Sequence, residues 1–111
     1  MDPKLEALRK ANEARYWRAE QRARVKGGDW EHAIALLLSG DDRLASMPVI
    51  LFLTWLPNIG EARAEKMIGR AAGDWARPRS MGDLTMRTAT ALADQVRRAR
   101  PKSPVSERVL V

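Results

Sequence analysis

Residues 3–26 constrain the fold most, because this run contains no glycine and no proline after Pro3. It is rich in alanine, glutamate, arginine and lysine, which lose little conformational freedom in a helix. Gly27 and Gly28 follow and supply the left-handed conformations that commonly end a helix. The pattern predicts one long helix. Because it has few large apolar residues, we expect it to be exposed and only partly docked on the rest of the chain.

Two stripes run along this predicted helix. Apolar residues at helical spacing form the first: Leu5, Leu8, Tyr16, Ala19 and Ala23. Basic residues at i, i+3, i+7 and i+11 form the second: Arg15, Arg18, Arg22 and Lys26. Because positive charges on one helix face attract phosphates, the basic stripe is a candidate surface for a second segment of DNA, beside any bound by the rest of the chain. The alternative is an ordinary solvated helix face.

The next segments predict two shorter helices. Asp29 is a typical N-cap residue, and Gly40 is a typical stop. Between them lies an apolar face: Trp30, Ile34, Leu37 and Leu38. Asp41 is expected to cap a short turn. Pro48 fits the first position of a helix over residues 49–55.

Residues 49–55 are so apolar that periodicity alone does not separate a buried helix from a buried strand. No neighbouring segment alternates with a period of two, so a lone strand would have no partner. We therefore predict a buried helix here and an all-α fold for the chain.

The clearest helical pattern follows Gly60, and Gly73 ends it. Its apolar residues recur at helical spacing: Ala64, Met67, Ile68, Ala71 and Ala72. After a connection over residues 74–82, a last helix is expected to turn these residues inward: Leu84, Thr88, Ala91, Leu92 and Val96. Ser80, with Asp83 three residues later, has the spacing of a capping box and predicts the start of that helix.

Charge divides the 111-residue chain into three parts. Residues 1–26 carry a net charge of +4, residues 27–60 carry −3 and residues 61–111 carry +5. The overall charge of +6 and a pI near 10.5 predict an anionic partner, with nucleic acid ahead of a membrane. Charge and helical pattern together predict three regions: a basic helix over residues 1–28, a compact domain over residues 29–100 and a disordered tail over residues 101–111.

Composition disfavours most enzyme classes. The chain has no cysteine and a single histidine, His32, which leaves little from which to build a metal site or a Ser-His-Asp triad. No catalytic residue, metal or cofactor is predicted, and the chain is not expected to be an enzyme. The longest apolar stretch, residues 49–53, is too short to span a membrane, and no signal-peptide pattern is visible. A cytoplasmic location is expected.

Residues 56–60 (Leu-Pro-Asn-Ile-Gly) break the helical pattern sharply, directly before the clearest helix. A hairpin there exposes successive backbone N–H groups at a helix N-terminus, where partial positive charge attracts phosphate. Gly60 lets a phosphate approach the backbone closely. Arg63 and Lys66 follow within the next two turns and can neutralise neighbouring phosphates. The pattern favours nucleic-acid binding over a plain turn between helices.

Arg77 and Arg79 flank Pro78 in the connection before the last helix, so they are expected to project from a stiffened loop. Arginine suits both clamping of the phosphate backbone and insertion into a groove of DNA. The alternative is a pair of solvated surface arginines.

The chain resembles the integration host factor family of actinobacteria. The similarity is carried by residues 44–49 and 56–67, by residues 26–28 upstream and by residues 77–83 downstream. It extends over nearly the whole chain apart from the C-terminal tail. The hairpin alone would be shared with many helix-hairpin-helix proteins, whereas the combination is specific.

The resemblance implies a long N-terminal helix packed on a compact helix–two-turns–helix DNA-binding domain, and a monomer is expected. It implies a nucleoid-associated protein that binds duplex DNA with little sequence preference, shapes or compacts it and assists a phage integrase. The family binds DNA through the hairpin backbone, the following helix and arginines before the last helix. The matching positions here are Asn58, Ile59, Gly60, Arg63, Lys66, Arg77 and Arg79.

The chain departs from the family pattern at several positions. Pro48 and Glu61 stand where basic residues are common, and the last helix has threonines among few charges. Each change removes positive charge from the expected DNA face. Weaker affinity or a shifted footprint is therefore expected, as in a divergent or phage-encoded member.

Other classes are open alternatives. An RNA-binding module is one, because a small-subunit ribosomal protein has a related helical hairpin. A protein-interaction adaptor, whose basic faces meet an acidic partner, is another. Base-excision glycosylases also contain a helix–two-turns–helix domain, but they use a proline directly after the initiator methionine and a cysteine zinc finger. Here Asp2 follows the first residue and cysteine is absent.

Overall fold

The computed structural model describes residues 2–73 and 77–101, and within these ranges the chain is all-α, as predicted. The five α-helices of the described ranges are α1 (Pro3–Lys26), α2 (Trp30–Ser39), α3 (Val49–Leu53), α4 (Glu61–Ala72) and α5 (Met86–Ala99). Two 3₁₀ turns, Asp42–Leu44 and Met81–Asp83, precede α3 and α5. In the described residues, no helix is both long and apolar enough to cross a membrane. Apart from Pro101, the predicted disordered tail lies outside the described residues.

Several helix ends follow single-residue signals, as predicted. The side chain of Asp29 accepts a hydrogen bond from the His32 N–H (3.0 Å) at the start of α2. Gly40 ends α2 in the left-handed conformation, with φ of 64°. Asp41 caps the first 3₁₀ turn, because its carboxylate accepts from the Arg43 N–H (2.9 Å). These predictions of the sequence are confirmed.

The predicted extent of α3 is wrong. The helix ends at Leu53 rather than Trp55, and Pro48 lies at the N-cap rather than at the first helical position. The chain tightens after Leu53: the Trp55 N–H donates to the Phe52 carbonyl three residues back (3.1 Å). Val49, Phe52, Leu53 and Trp55 are buried as expected, whereas Ile50 and Thr54 are half-buried and Leu51 is exposed.

The predicted start of the last helix is also wrong. Ser80 and Asp83 do form the expected pair, because the Ser80 N–H and hydroxyl donate to the Asp83 carboxylate (3.2 and 3.1 Å). This pair caps the second 3₁₀ turn, and Leu84 then adopts extended backbone angles. α5 begins only at Met86, where the Thr85 hydroxyl accepts from the backbone N–H three residues on (3.2 Å).

The core lies where α5 packs against both α2 and α4, with α3 packed against α4. The largest fully buried side chains are Phe52, Leu44, Leu53, Leu56, Leu92, Val25, Val49 and Val96. Because Val25 belongs to this core, the C-terminal end of α1 is tied to the domain. Leu5 and Leu8 near its other end are 62% and 59% exposed, so α1 is only partly docked, as predicted.

Backbone hydrogen bonds join the segment before α3 to the segment before α5. The Val49 N–H donates to the Arg79 carbonyl (3.0 Å), and the Met81 N–H donates to the Met47 carbonyl (2.8 Å). A Cβ at Gly82 would lie 3.0 Å from the Ala45 carbonyl oxygen of the opposite segment, so this close approach favours glycine. The bonds fix the position of the loop that carries Arg79.

Candidate nucleic-acid interface

The hairpin between α3 and α4 is held by two buried side chains. Leu56 and Ile59 are 1% and 4% exposed, and the Ile59 N–H donates to the Leu56 carbonyl (3.3 Å). Asn58 adopts a left-handed backbone conformation (φ 66°), which asparagine tolerates better than most residues. Because the Ile59 side chain lies in the core, only its backbone can take part in the predicted interface.

The N-terminus of α4 has no side-chain cap. Gly60 is the N-cap residue, and its backbone is extended (φ −92°, ψ −179°). A Cβ built at Gly60 would meet no atom within 4 Å, so the space in front of the helix end is open. The first N–H groups of a helix have no intrahelical acceptor and carry partial positive charge. The exposed Glu61 in this first turn does not cap them.

An open groove of about 460 Å³ between α4 and α5 lies beside the first turns of α4, and we call it the basic groove. Four of its lining residues are cations: Arg63, Lys66 and Arg70 on α4 and Arg98 on α5. No acidic residue lines it, and none of the four cations is ion-paired within the described part of the chain. Uncompensated positive charges in a concave site reinforce one another and attract anions.

The hairpin and the basic groove are connected. The Arg63 side chain donates to the Asn58 carbonyl across 3.5 Å, so its guanidinium lies between the two features. The structure thus brings together four of the predicted site residues: Asn58, Gly60, Arg63 and Lys66.

Two cations of the basic groove were not among the predicted site residues. Arg70 follows Arg63 and Lys66 at helical spacing, so a signal for it was present in the sequence. Arg98 has no local signal, because only the packing of α5 against α4 brings it to the groove.

Arg77 and Arg79 line a second groove, of about 540 Å³, on the other flank of α4. The Arg77 guanidinium lies 3.4 Å from the Glu65 carboxylate and covers Gly69, where a Cβ would be 3.0 Å from a guanidinium nitrogen. Pro78 is buried, and Arg79 is exposed without an ion pair to any described residue. The loop pair is therefore separated from the basic groove, and Arg77 is engaged rather than projecting freely.

The predicted basic stripe of α1 lies at a third groove, of about 490 Å³, between α1 and α3. Arg15, Arg18 and Arg22 line it, whereas Lys26 does not. Pro48 lines both this groove and the one beside Arg79, so the two adjoin.

Carboxylates elsewhere in the domain neutralise other arginines. The Arg24 side chain donates to Asp29 (2.7 Å) and, together with the capping N–H of α2, holds the pKa of Asp29 below its ordinary value. Arg43 pairs with Asp41 in the same way (2.7 Å), which lowers the pKa of that carboxyl. Among the described residues, positive charge is thus compensated by carboxylates at these caps, whereas no carboxylate forms an ion pair with a cation of the basic groove.

Comparison of the chain with protein-family models, with curated proteins and with solved structures found no match. Among residues 2–73 and 77–101, no group of three or more histidine or acidic side chains is placed to hold a metal ion. The grooves and the hairpin are therefore the features from which a function can be inferred.

Proposed function

We propose that the protein is a non-enzymatic, duplex-DNA-binding protein of the integration host factor type, which shapes or compacts DNA in the nucleoid. The observation that carries the proposal is the basic groove, where four cations that form no ion pair with a described residue lie beside an uncapped helix N-terminus. Duplex DNA presents phosphates at regular intervals, and each phosphate neutralised by lysine or arginine releases counterions.

The hairpin and the basic groove supply complementary contacts to one phosphate backbone. Amide N–H groups at the start of α4 receive one phosphate, and the open space at Gly60 allows the close approach. Arg63 and Arg98 hold neighbouring phosphates by charge-assisted hydrogen bonds. Such contacts position a protein on DNA without reading its bases. Any sequence preference then comes from the shape of the DNA grooves and the bendability of the DNA, which suits an architectural protein that assists integration.

The loop arginines extend the proposed footprint along the other flank of α4. The Arg79 side chain forms no ion pair with a described residue and acts on the Asp83 carboxylate only through its charge, whereas Arg77 must exchange Glu65 for a phosphate. Arg79 is therefore expected to contribute more to binding than Arg77.

The test is a titration of the full chain with a short random-sequence duplex at several salt concentrations. Binding should weaken with a slope of about −0.9 in log K against log salt for each phosphate neutralised. Arg63→Ala/Arg98→Ala should reduce the magnitude of that slope by about 2, because two phosphate contacts are removed. Arg9→Ala/Arg97→Ala is the control of equal charge, since both arginines are exposed and ion-paired outside the grooves.

Two results would contradict the proposal. One is the absence of duplex binding at low salt; the other is an equal change of slope in the control variant. A structured RNA hairpin is titrated in parallel. If the RNA binds and the duplex does not displace it, the protein is an RNA-binding module instead.

A further inference from the structure

The groove between α1 and α3 differs chemically from the basic groove. One of its walls is the basic stripe of α1, with Arg15, Arg18 and Arg22. The opposite wall and floor are apolar and come from α3 and its flanks: Met47, Pro48, Leu51 and Trp55. Both a charged and an apolar surface are therefore presented within one concave site.

The apolar wall includes a side chain that the fold leaves uncovered. Leu51 is 51% exposed, although Phe52 and Leu53 beside it in α3 are completely buried. Leaving a large apolar side chain in water forgoes stabilisation that a partner can recover by covering it. Met47 and Trp55 are buried beneath and give the groove a packed floor.

Within residues 2–73 and 77–101, no carboxylate compensates the charge of the basic wall. None of Arg15, Arg18 and Arg22 forms an ion pair with a described residue, and no acidic residue lines the groove. Carboxylates are a natural complement, because guanidinium groups bind them with paired, charge-assisted hydrogen bonds.

We propose that this groove binds an acidic amphipathic segment of a protein partner. Its apolar side chains pack on Leu51 and the floor, and its carboxylates meet the arginines of α1. A duplex fits the groove less well. A volume of about 490 Å³ accommodates a few side chains. The phosphate backbone of a duplex complements the arginine wall but offers no apolar side chain to cover Leu51.

The test uses a labelled synthetic peptide with leucines at i, i+4 and i+7 and glutamates on the flanking face, followed by fluorescence anisotropy with the full chain. A scrambled peptide of the same composition should bind at least tenfold more weakly. Leu51→Ser should weaken binding of the ordered peptide about tenfold, as expected for losing the burial of one leucine side chain. Arg18→Ala/Arg22→Ala should weaken it by a similar factor or more.

Arg70→Ala/Arg98→Ala is the matched control, because it removes the same charge from the basic groove. It should leave peptide affinity unchanged, so the result does not depend on whether the basic groove binds DNA. Unchanged thermal unfolding of Leu51→Ser checks that the fold is intact. The proposal is wrong if both groove variants bind the peptide like the wild type. It is also wrong if the Arg18/Arg22 variant loses duplex affinity while Leu51→Ser changes neither ligand.

Discussion

The N-termini of α2 and α4 both expose backbone N–H groups with partial positive charge, but only α2 has a side-chain cap. At α2, the Asp29 carboxylate accepts from the first turn of the helix and pairs with Arg24. At α4, Gly60 provides no side chain, and the nearest cations, Arg63 and Lys66, form no ion pair with any described residue. A helix end that is satisfied by the protein's own anion is structural. One left open beside uncompensated cations can receive an anion from outside, and this contrast is the basis of the proposed DNA interface.

The largest effect on duplex affinity is expected when two charges of the basic groove are reversed. Arg63→Glu/Arg98→Glu places two carboxylates in the basic groove and should lower duplex affinity at least 100-fold, because attraction to phosphate becomes repulsion. Arg9→Glu/Arg97→Glu changes the net charge equally at ion-paired positions elsewhere. Affinities from the duplex titration should differ strongly between the two variants. Equal losses would mean that overall charge, and not the basic groove, determines binding.

A smaller effect on duplex affinity is expected when α4 is given an aspartate at its N-cap, the residue that caps α2. Gly60→Asp should supply a carboxylate to the open amides, so duplex affinity should fall about tenfold. The fold should tolerate the change, since the backbone at Gly60 is extended and a Cβ has space. Thermal unfolding should stay level or rise slightly, because aspartate caps at least as well as glycine.

Gly60→Ala is the control for Gly60→Asp, because it adds a Cβ without charge or hydrogen-bonding capacity. It should lose much less affinity than Gly60→Asp. If the two variants bind the duplex equally, the amides at the start of α4 do not contact phosphate, and the contrast between the two helix ends has no functional meaning.

The helix ends show why part of the fold was predictable. Asp29 and Gly40 are the sole strong signals at their positions, so the sequence determined both ends of α2. Before α5 two capping signals compete, at Ser80 and at Thr85. The extended backbone at Leu84 separates the two signals. The preceding residues Met81 and Gly82 are hydrogen-bonded to the distant segment before α3, which a local pattern does not reveal.

The candidate site likewise contains residues that local sequence patterns predict and residues that only the packing of the helices brings in. Arg63 and Lys66 are local, since helical spacing places them on one face just after the hairpin. Arg98 reaches the basic groove only because α5 packs on α4. The Glu65 partner of Arg77 lies 12 residues away in the chain, on a helix flank that loop composition does not reveal. Sequence patterns therefore predicted the local half of the site, and its binding of DNA stays a prediction.

The smallest effect is expected when the charge of the α2 N-cap is removed, and we expect this effect on thermal stability to depend on pH. The Arg24 side chain and the His32 N–H lower the pKa of Asp29. The stabilisation that follows from this lowered pKa is present above the ordinary carboxyl pKa of about 3.9 and is lost as pH falls through the folded-state value. Asp29→Asn keeps an oxygen that can cap the helix but removes the charge. It should lower the midpoint of thermal unfolding by a few degrees at pH 7, and this difference from the wild type should vanish in strong acid.

Asp41 and Asp83 also have lowered pKa values, but they titrate in both proteins and cancel in this comparison. Duplex affinity at pH 7 is the second measurement, and Asp29→Asn should leave it unchanged because α2 begins outside the basic groove. A difference in unfolding that is the same at pH 7 and in acid would show that the charge of Asp29 contributes nothing to the cap. Altered duplex affinity would place the α2 end within the interface and remove the contrast with α4.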